Sequence, residues 1–181
     1  MKVSDLIVKE LEKHTDHVFC LVGGGSMHLN DSLYDSKLTP VYMLHEQSCA
    51  FAAQAYAHMT NKLGVCMVTS GPGATNAITG CLAAWMDSDP VLFISGNVPT
   101  QHSIGDSGRR YVGPQECDII SMVKGITKYA TKLQFPSWDE GITIMEMVDW
   151  ILHDAIGIAQ AERKGPVWLD VPLDIQGAEI E

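Results

Sequence analysis

Hydrophobic residues in this chain fall into short runs separated by longer stretches with helical spacing. Val18-Phe19-Cys20-Leu21-Val22, Val41-Tyr42-Met43-Leu44, Val65-Cys66-Met67-Val68, Val91-Leu92-Phe93-Ile94 and Val167-Trp168-Leu169-Asp170-Val171 have the length and composition of strands buried on both faces. Between them the spacing predicts helices over about 4–13, 27–34, 46–60, 74–87, 117–124 and 138–162. The last has the clearest stripe, Trp138, Ile142, Met145, Val148, Ile151, Leu152, Ala155, Ile158 and Ala159, behind Pro136 and a Ser137-x-x-Glu140 capping box. Strand and helix alternate throughout, with Gly- or Pro-rich turns after strands. That alternation implies a parallel sheet with right-handed crossovers and helices on both faces. The expected fold is a three-layer, doubly wound α/β sheet of about six strands, whose ligands bind at the carboxyl ends of the strands.

Composition narrows the class. A chain of 181 residues, 46% of them hydrophobic, fits one domain with a sizeable core. A net charge of −10 without a long basic run argues against nucleic acid or an anionic membrane as partner, since both would repel it. Cys20, Cys49, Cys66, Cys81 and Cys117 are odd in number, widely spaced and never paired as C-x-x-C, so they read as reduced, buried thiols. No segment approaches the roughly 18 apolar residues of a membrane span, and the expected compartment is the cytoplasm.

Three turns follow apolar strands and would open on one edge of the sheet. The first is Gly23-Gly24-Gly25-Ser26, where glycines let a ligand approach the backbone. A dinucleotide-binding reading fails on spacing, because His28 occupies the place of the third glycine of a G-x-G-x-x-G run begun at Gly23. The second is His45-Glu46-Gln47, a lone carboxylate between an apolar strand and the small-residue helix that follows. Shielding from water is expected there, and a desolvated carboxyl is suited to exchanging a proton with a ligand; a Glu favoured by the helix dipole is the plainer alternative. The third is Thr69-Ser70-Gly71-Pro72-Gly73-Ala74-Thr75-Asn76, a Gly-Pro-Gly bend leading into a helix with Asn76 in its first turn. Ser70 lacks the G-x-S-x-G surroundings of a nucleophile, and no residues have convincing metal-ligand spacing.

Taken in order, these turns resemble the N-terminal, pyrimidine-binding domain of thiamine-diphosphate enzymes, most closely the acetolactate synthase-like group. The same likeness runs through Asp31-Ser32-Leu33, Trp85-Met86-Asp87-Ser88-Asp89-Pro90, Ser95-Gly96-Asn97-Val98-Pro99-Thr100, Gln115-Glu116, Ile126-Thr127-Lys128 and Gly165-Pro166-Val167 to Asp174-Ile175-Gln176, and so covers essentially residues 1–181. The resemblance implies that Glu46 hydrogen-bonds N1′ of the cofactor's aminopyrimidine and promotes the imino tautomer that deprotonates the thiazolium C2. It further implies that Gly23, Gly24, Pro72 and Asn76 border the pyrimidine, while Gly25, Val98 and Gln115 lie towards the substrate. That substrate would be a small 2-oxo acid.

The family's diphosphate and Mg²⁺ are held by a second domain with a Gly-Asp-Gly motif and paired Asn, and Gly105-Asp106-Ser107-Gly108 is not that motif. The chain is therefore expected to be half a site, inactive without a diphosphate-binding partner domain or subunit, in a homo- or hetero-oligomer. Its end, just after Asp174-Ile175-Gln176, leaves a split subunit, an excised domain and a relic open. Two departures bear on substrate. Val22 stands where close relatives have Pro, and the stretch from Gly105 to Gln115 is longer than the matching acetolactate synthase loop. That loop resembles the one in synthase-like enzymes of surface-polysaccharide and branched-sugar pathways. Arg109 and Arg110 in it are candidates to contact an anionic substrate group, with a solvated pair as the alternative. A non-catalytic module derived from the same domain is the rival reading from another class.

Overall fold

The three fully buried strands explain the layout. Gly64–Val68, Val91–Asn97 and Val167–Pro172 bury every residue, so both their faces must be covered by helices. The computed structural model describes residues 1–136 and 141–180. In chain order its elements are α1 (Val3–Leu11), β1 (His17–Cys20), α2 (Met27–Tyr34), β2 (Thr39–Tyr42), α3 (Glu46–Thr60), β3 (Gly64–Val68), α4 (Pro72–Asp87), β4 (Val91–Asn97), α5 (Ile119–Val123), β5 (Tyr129–Lys132), α6 (Ile144–Gln160), β6 (Val167–Pro172) and α7 (Leu173–Gln176). The strands form one parallel sheet in the order β2-β1-β3-β4-β6-β5. The three-layer, doubly wound expectation is met.

Each face has its own core. Val3, Ile7 and Leu11 of α1, Leu29 and Leu33 of α2, and Val148, Leu152 and Ala155 of α6 pack with Val65, Met67, Leu92, Ile94 and Leu169. Ala50 and Ala53 of α3, Ala77 and Cys81 of α4, and Ile119 of α5 cover Cys66, Phe93 and Trp168 on the other face. Phe93 and Trp168 stack there with ring centroids 4.9 Å apart, and small residues on α3 and α4 allow the two helices to lie close.

Three expectations are corrected. β2 begins two residues before Val41 and is half-exposed rather than buried, because it is an edge strand; Leu44, beyond it, is fully exposed. β5 has no apolar run to announce it, since it is the opposite edge and all four of its residues are only half-buried. α6 starts at Ile144 rather than 138, capped by Thr143, whose hydroxyl accepts from the Glu146 N–H at 3.2 Å in a reciprocal capping box. Ser137, Trp138 and Glu140 lie outside the described residues. Val148, Ile151, Leu152, Ala155 and Ala159 of the expected stripe are buried, whereas Met145 is 36% exposed and Ile142 precedes the helix.

Candidate functional site

The order β2-β1-β3 places the crossover after β1 on the α1 face and those after β2 and β3 on the α3 face. Strand ends whose connections diverge in this way leave a crevice at the carboxyl edge. All three turns singled out by sequence open there.

Glu46 is the first residue of α3, with His45 as its N-cap: His45 Nδ1 accepts the Gln47 N–H at 3.1 Å. That gives His45 a structural task and leaves the carboxylate at the positive end of the helix dipole. Glu46 Oε2 accepts from Asn76 Nδ2 at 3.0 Å, which joins the second and third turns. α4 begins at Pro72, earlier than the spacing suggested, so Asn76 sits in its second turn rather than its first. A Cβ at Gly73 would lie 3.5 Å from Glu46 Oε1, and this oxygen has no partner among the described residues. The expected shielding of Glu46 is not met among the described residues: the residue is half-buried, beside the exposed edge strand β2.

The bend at Gly71 needs its glycine. Its φ is +57°, and a Cβ there would run into the Gln115 carbonyl oxygen. Gln115 itself holds a φ of 60°, so the long loop is pinned against the third turn by an unusual backbone on both sides. Pro72 and Gly24 are exposed beside the crevice, and Gly23 and Gly25 lie against Thr69, whose Oγ1 accepts the Gly25 N–H at 3.0 Å. Val98 is buried and packs against Gly113, so it touches the long loop rather than open solvent. Arg109 and Arg110 are exposed on the long loop. A separate cavity of about 570 Å³ opens on the same edge between the ends of β4, β6 and β5; it does not include Glu46.

Sequence reasoning gave no role to three residues that hold this edge together. Gln176, fully buried, donates from Nε2 to the carbonyls of Gly25 and Val171, each at 2.7 Å. Glu116 accepts from the Ser103 hydroxyl at 2.8 Å. Asp170, 2% exposed, accepts from Ser95 Oγ at 2.7 Å and Asn97 Nδ2 at 2.6 Å; burial pushes its carboxyl up to about 6 against the pull of those bonds. The signal for Asp170 was available, since it is an acid inside an apolar strand.

The family model for the thiamine pyrophosphate enzyme, N-terminal TPP binding domain, matches residues 1–122. This chain belongs to that family. Over its whole length the domain is 37% identical to a probable acetolactate synthase large subunit of Methanocaldococcus jannaschii, of which it covers 28%. It is 36% identical to the chloroplastic acetolactate synthase of Arabidopsis thaliana, with 97% of the chain matched against 24% of that protein. An acetolactate synthase of Arthrospira platensis is 34% identical over 97% of the chain. The domain thus spans about a quarter of the length of the curated relatives it matches. No helix among the described residues is long and apolar enough to cross a membrane.

Proposed function

We propose that this domain supplies the pyrimidine side of a thiamine-diphosphate-dependent 2-oxo acid decarboxylase or carboligase of acetolactate synthase type. The observation that carries the reading is the Glu46–Asn76 pair, which joins the turns after β2 and β3 at the edge of the crevice: one carboxylate oxygen is held at 3.0 Å and the other is left for an outside donor. The residues fit the cofactor's pyrimidine, because Gly73 places no side chain against Glu46 Oε1 and the space where a Cβ at Gly24 would stand is open. Thiamine diphosphate, when bound, supplies the carbanion chemistry. Glu46 would hold and share a proton at pyrimidine N1′, and Asn76 would keep its carboxylate turned to the ring. Gly23, Gly24 and Pro72 would flank the ring.

A second domain completes the site in this reading. It would contribute the diphosphate and Mg²⁺ ligands and bury the open side of Glu46, which raises a carboxyl's proton affinity and suits it to tautomer exchange. Leu44, Phe51 and Met59 at and along α3, with Leu82 and Met86 on α4, are exposed apolar residues that such a domain or a second copy would cover. The reduced thiols fit a cytoplasmic setting.

Gly25, Val98, Gln115, Arg109 and Arg110 are assigned to the substrate side. Changing Arg109 and Arg110 together to Ala is expected to raise the KM for an anionic substrate by about tenfold with kcat nearly unchanged, the loss of one charge-assisted contact. An unaltered KM would return the pair to solvent.

The test of the reading itself is recovery of the tagged chain from its native cells, followed by assay of thiamine-diphosphate-dependent carbon dioxide release from pyruvate. Release that requires both this chain and a co-purifying diphosphate-binding chain is expected for a split enzyme. Release by a longer parent protein that contains this sequence supports the same chemistry. No release from either sinks it.

A further inference from the structure

The sheet diverges a second time. After β4 the chain crosses to α5 on the α3 face, and after β6 it turns into α7 on the α1 face. β4 and β6 stay paired to their last residues, Asn97 and Pro172, and the chain parts only beyond them; the 570 Å³ cavity lies at that edge, lined by Asn97, Glu116, Cys117, Lys132 and Asp170 among others.

Asp170 pairs in register with Ser95 on the neighbouring strand, beneath this cavity. Its Oδ1 accepts from the Ser95 hydroxyl and its Oδ2 from the Asn97 amide, while Trp168 Nε1 donates to Ser95 Oγ at 2.9 Å. An amide whose NH₂ is committed to a carboxylate has its oxygen left to present, and Asn97 Oδ1 accepts the Val98 N–H at 2.8 Å. Val98 in turn meets the long loop: a Cβ at Gly113 would fall 2.7 Å from Val98 Cγ1. Glu116 stitches the same loop from its far end, accepting from the Ile104 N–H and, at 3.3 Å, from the Val112 N–H.

We infer that Asp170 is a positioning residue for the loop from Gly105 to Gln115: it orients Asn97, and Asn97 fixes the Val98 turn on which Gly113 rests. The loop's place beside the substrate rests on the functional reading above; the hydrogen-bond chain does not. A carboxylate is the group this task needs. It accepts from both Ser95 and Asn97 without donating to either, so the Asn97 amide has one orientation.

The test uses the 181-residue chain and nuclear magnetic resonance. The Asn97 side-chain amide and the Val98 backbone amide are expected to titrate together, with a midpoint near the value of about 6 to which burial lifts Asp170. Lys132 on β5, Asp118 ahead of α5, and Glu116 and Cys117 just beyond the loop also face this region. Asp170→Asn leaves all four in place, so loss of the shared titration in that variant assigns it to Asp170. In Asp170→Ala, hydrogen exchange at Val98 should quicken by about tenfold. Asn97→Ala should do the same, and the double variant should add nothing further, as expected of residues acting in series. A Val98 amide that ignores the titration, or additive effects on its exchange, overturns the inference. The wild-type titration decides the matter even if Asp170→Ala does not fold.

In the reconstituted enzyme Asp170→Asn should raise substrate KM more than it lowers kcat. An unchanged KM beside a lost Val98 titration would leave the positioning chain standing and overturn the substrate-side reading of the loop.

Discussion

Replacement of Glu46 by Gln in the reconstituted enzyme is expected to slow proton exchange at the cofactor's thiazolium C2 by about 10²–10⁴-fold, the range a positioned acid or base supplies. Gln keeps the length of the side chain and an oxygen to accept from Asn76, so the 3.0 Å contact between the turns survives. What it loses is the ability to take and return a proton. Stability should move by less than about 0.5 kcal/mol, as for most half-exposed positions. Near-wild-type exchange in this variant would refute the role given to Glu46, whereas a large loss of stability would show that the carboxylate serves the fold instead.

Gly96→Ala is expected to cost roughly 3 kcal/mol, from overpacking and from hydrogen bonds lost in the loop it displaces. The methyl would overlap the Gly25 carbonyl and lie 2.8 Å from Ser26 Cα, backbone atoms that cannot rotate away. Yielding means moving the first turn off the sheet, which strains the bonds from Gln176 Nε2 to the Gly25 carbonyl and from the Gly25 N–H to Thr69. The variant should therefore lose cofactor affinity along with stability. Urea unfolding measures the first effect, and a midpoint within about 0.5 kcal/mol of wild type would contradict the close approach.

How much was legible follows from burial. β3, β4 and β6 are buried on both sides because both sides are covered, and each was readable from its apolar run, in β6 despite Asp170 within it. α2 and α3 fall on the expected spans of 27–34 and 46–60, the second ending where Asn61 adopts a left-handed conformation. The edges were harder. Tyr129-Ala130-Thr131-Lys132 is half-buried at every position, and a strand paired on one side only has no need of an apolar run.

The site divides in the same way. A carboxylate between a strand and a helix, on one edge with two glycine turns, was legible from spacing, and the structure joins it to Asn76. Its shielding was not met, because among the described residues Glu46 stays half-buried beside an exposed edge strand. Asp170 went unassigned for the opposite reason. Placed inside Val167-Trp168-Leu169-Asp170-Val171, it counted as part of a strand, although an acid there must find donors, and Ser95 and Asn97 provide them across the sheet.

Burial of the cysteines has a practical use. Cys20, Cys49, Cys66 and Cys81 are buried, and loss of solvent raises the thiol of Cys20 to about 12 and that of Cys49 to about 11, with Cys66 and Cys81 also raised. Alkylating reagents attack the thiolate and must reach it; burial raises the Cys117 thiol as well, but Cys117 is only partly buried, so the folded protein should react there first and spare the other four. Alkylation of those four then keeps time with global opening, and the count of modified thiols per chain becomes an unfolding clock that needs no dye or tag. Prompt modification of all five in native buffer, followed by mass spectrometry, would show that the sheet breathes far more often than its covered faces imply.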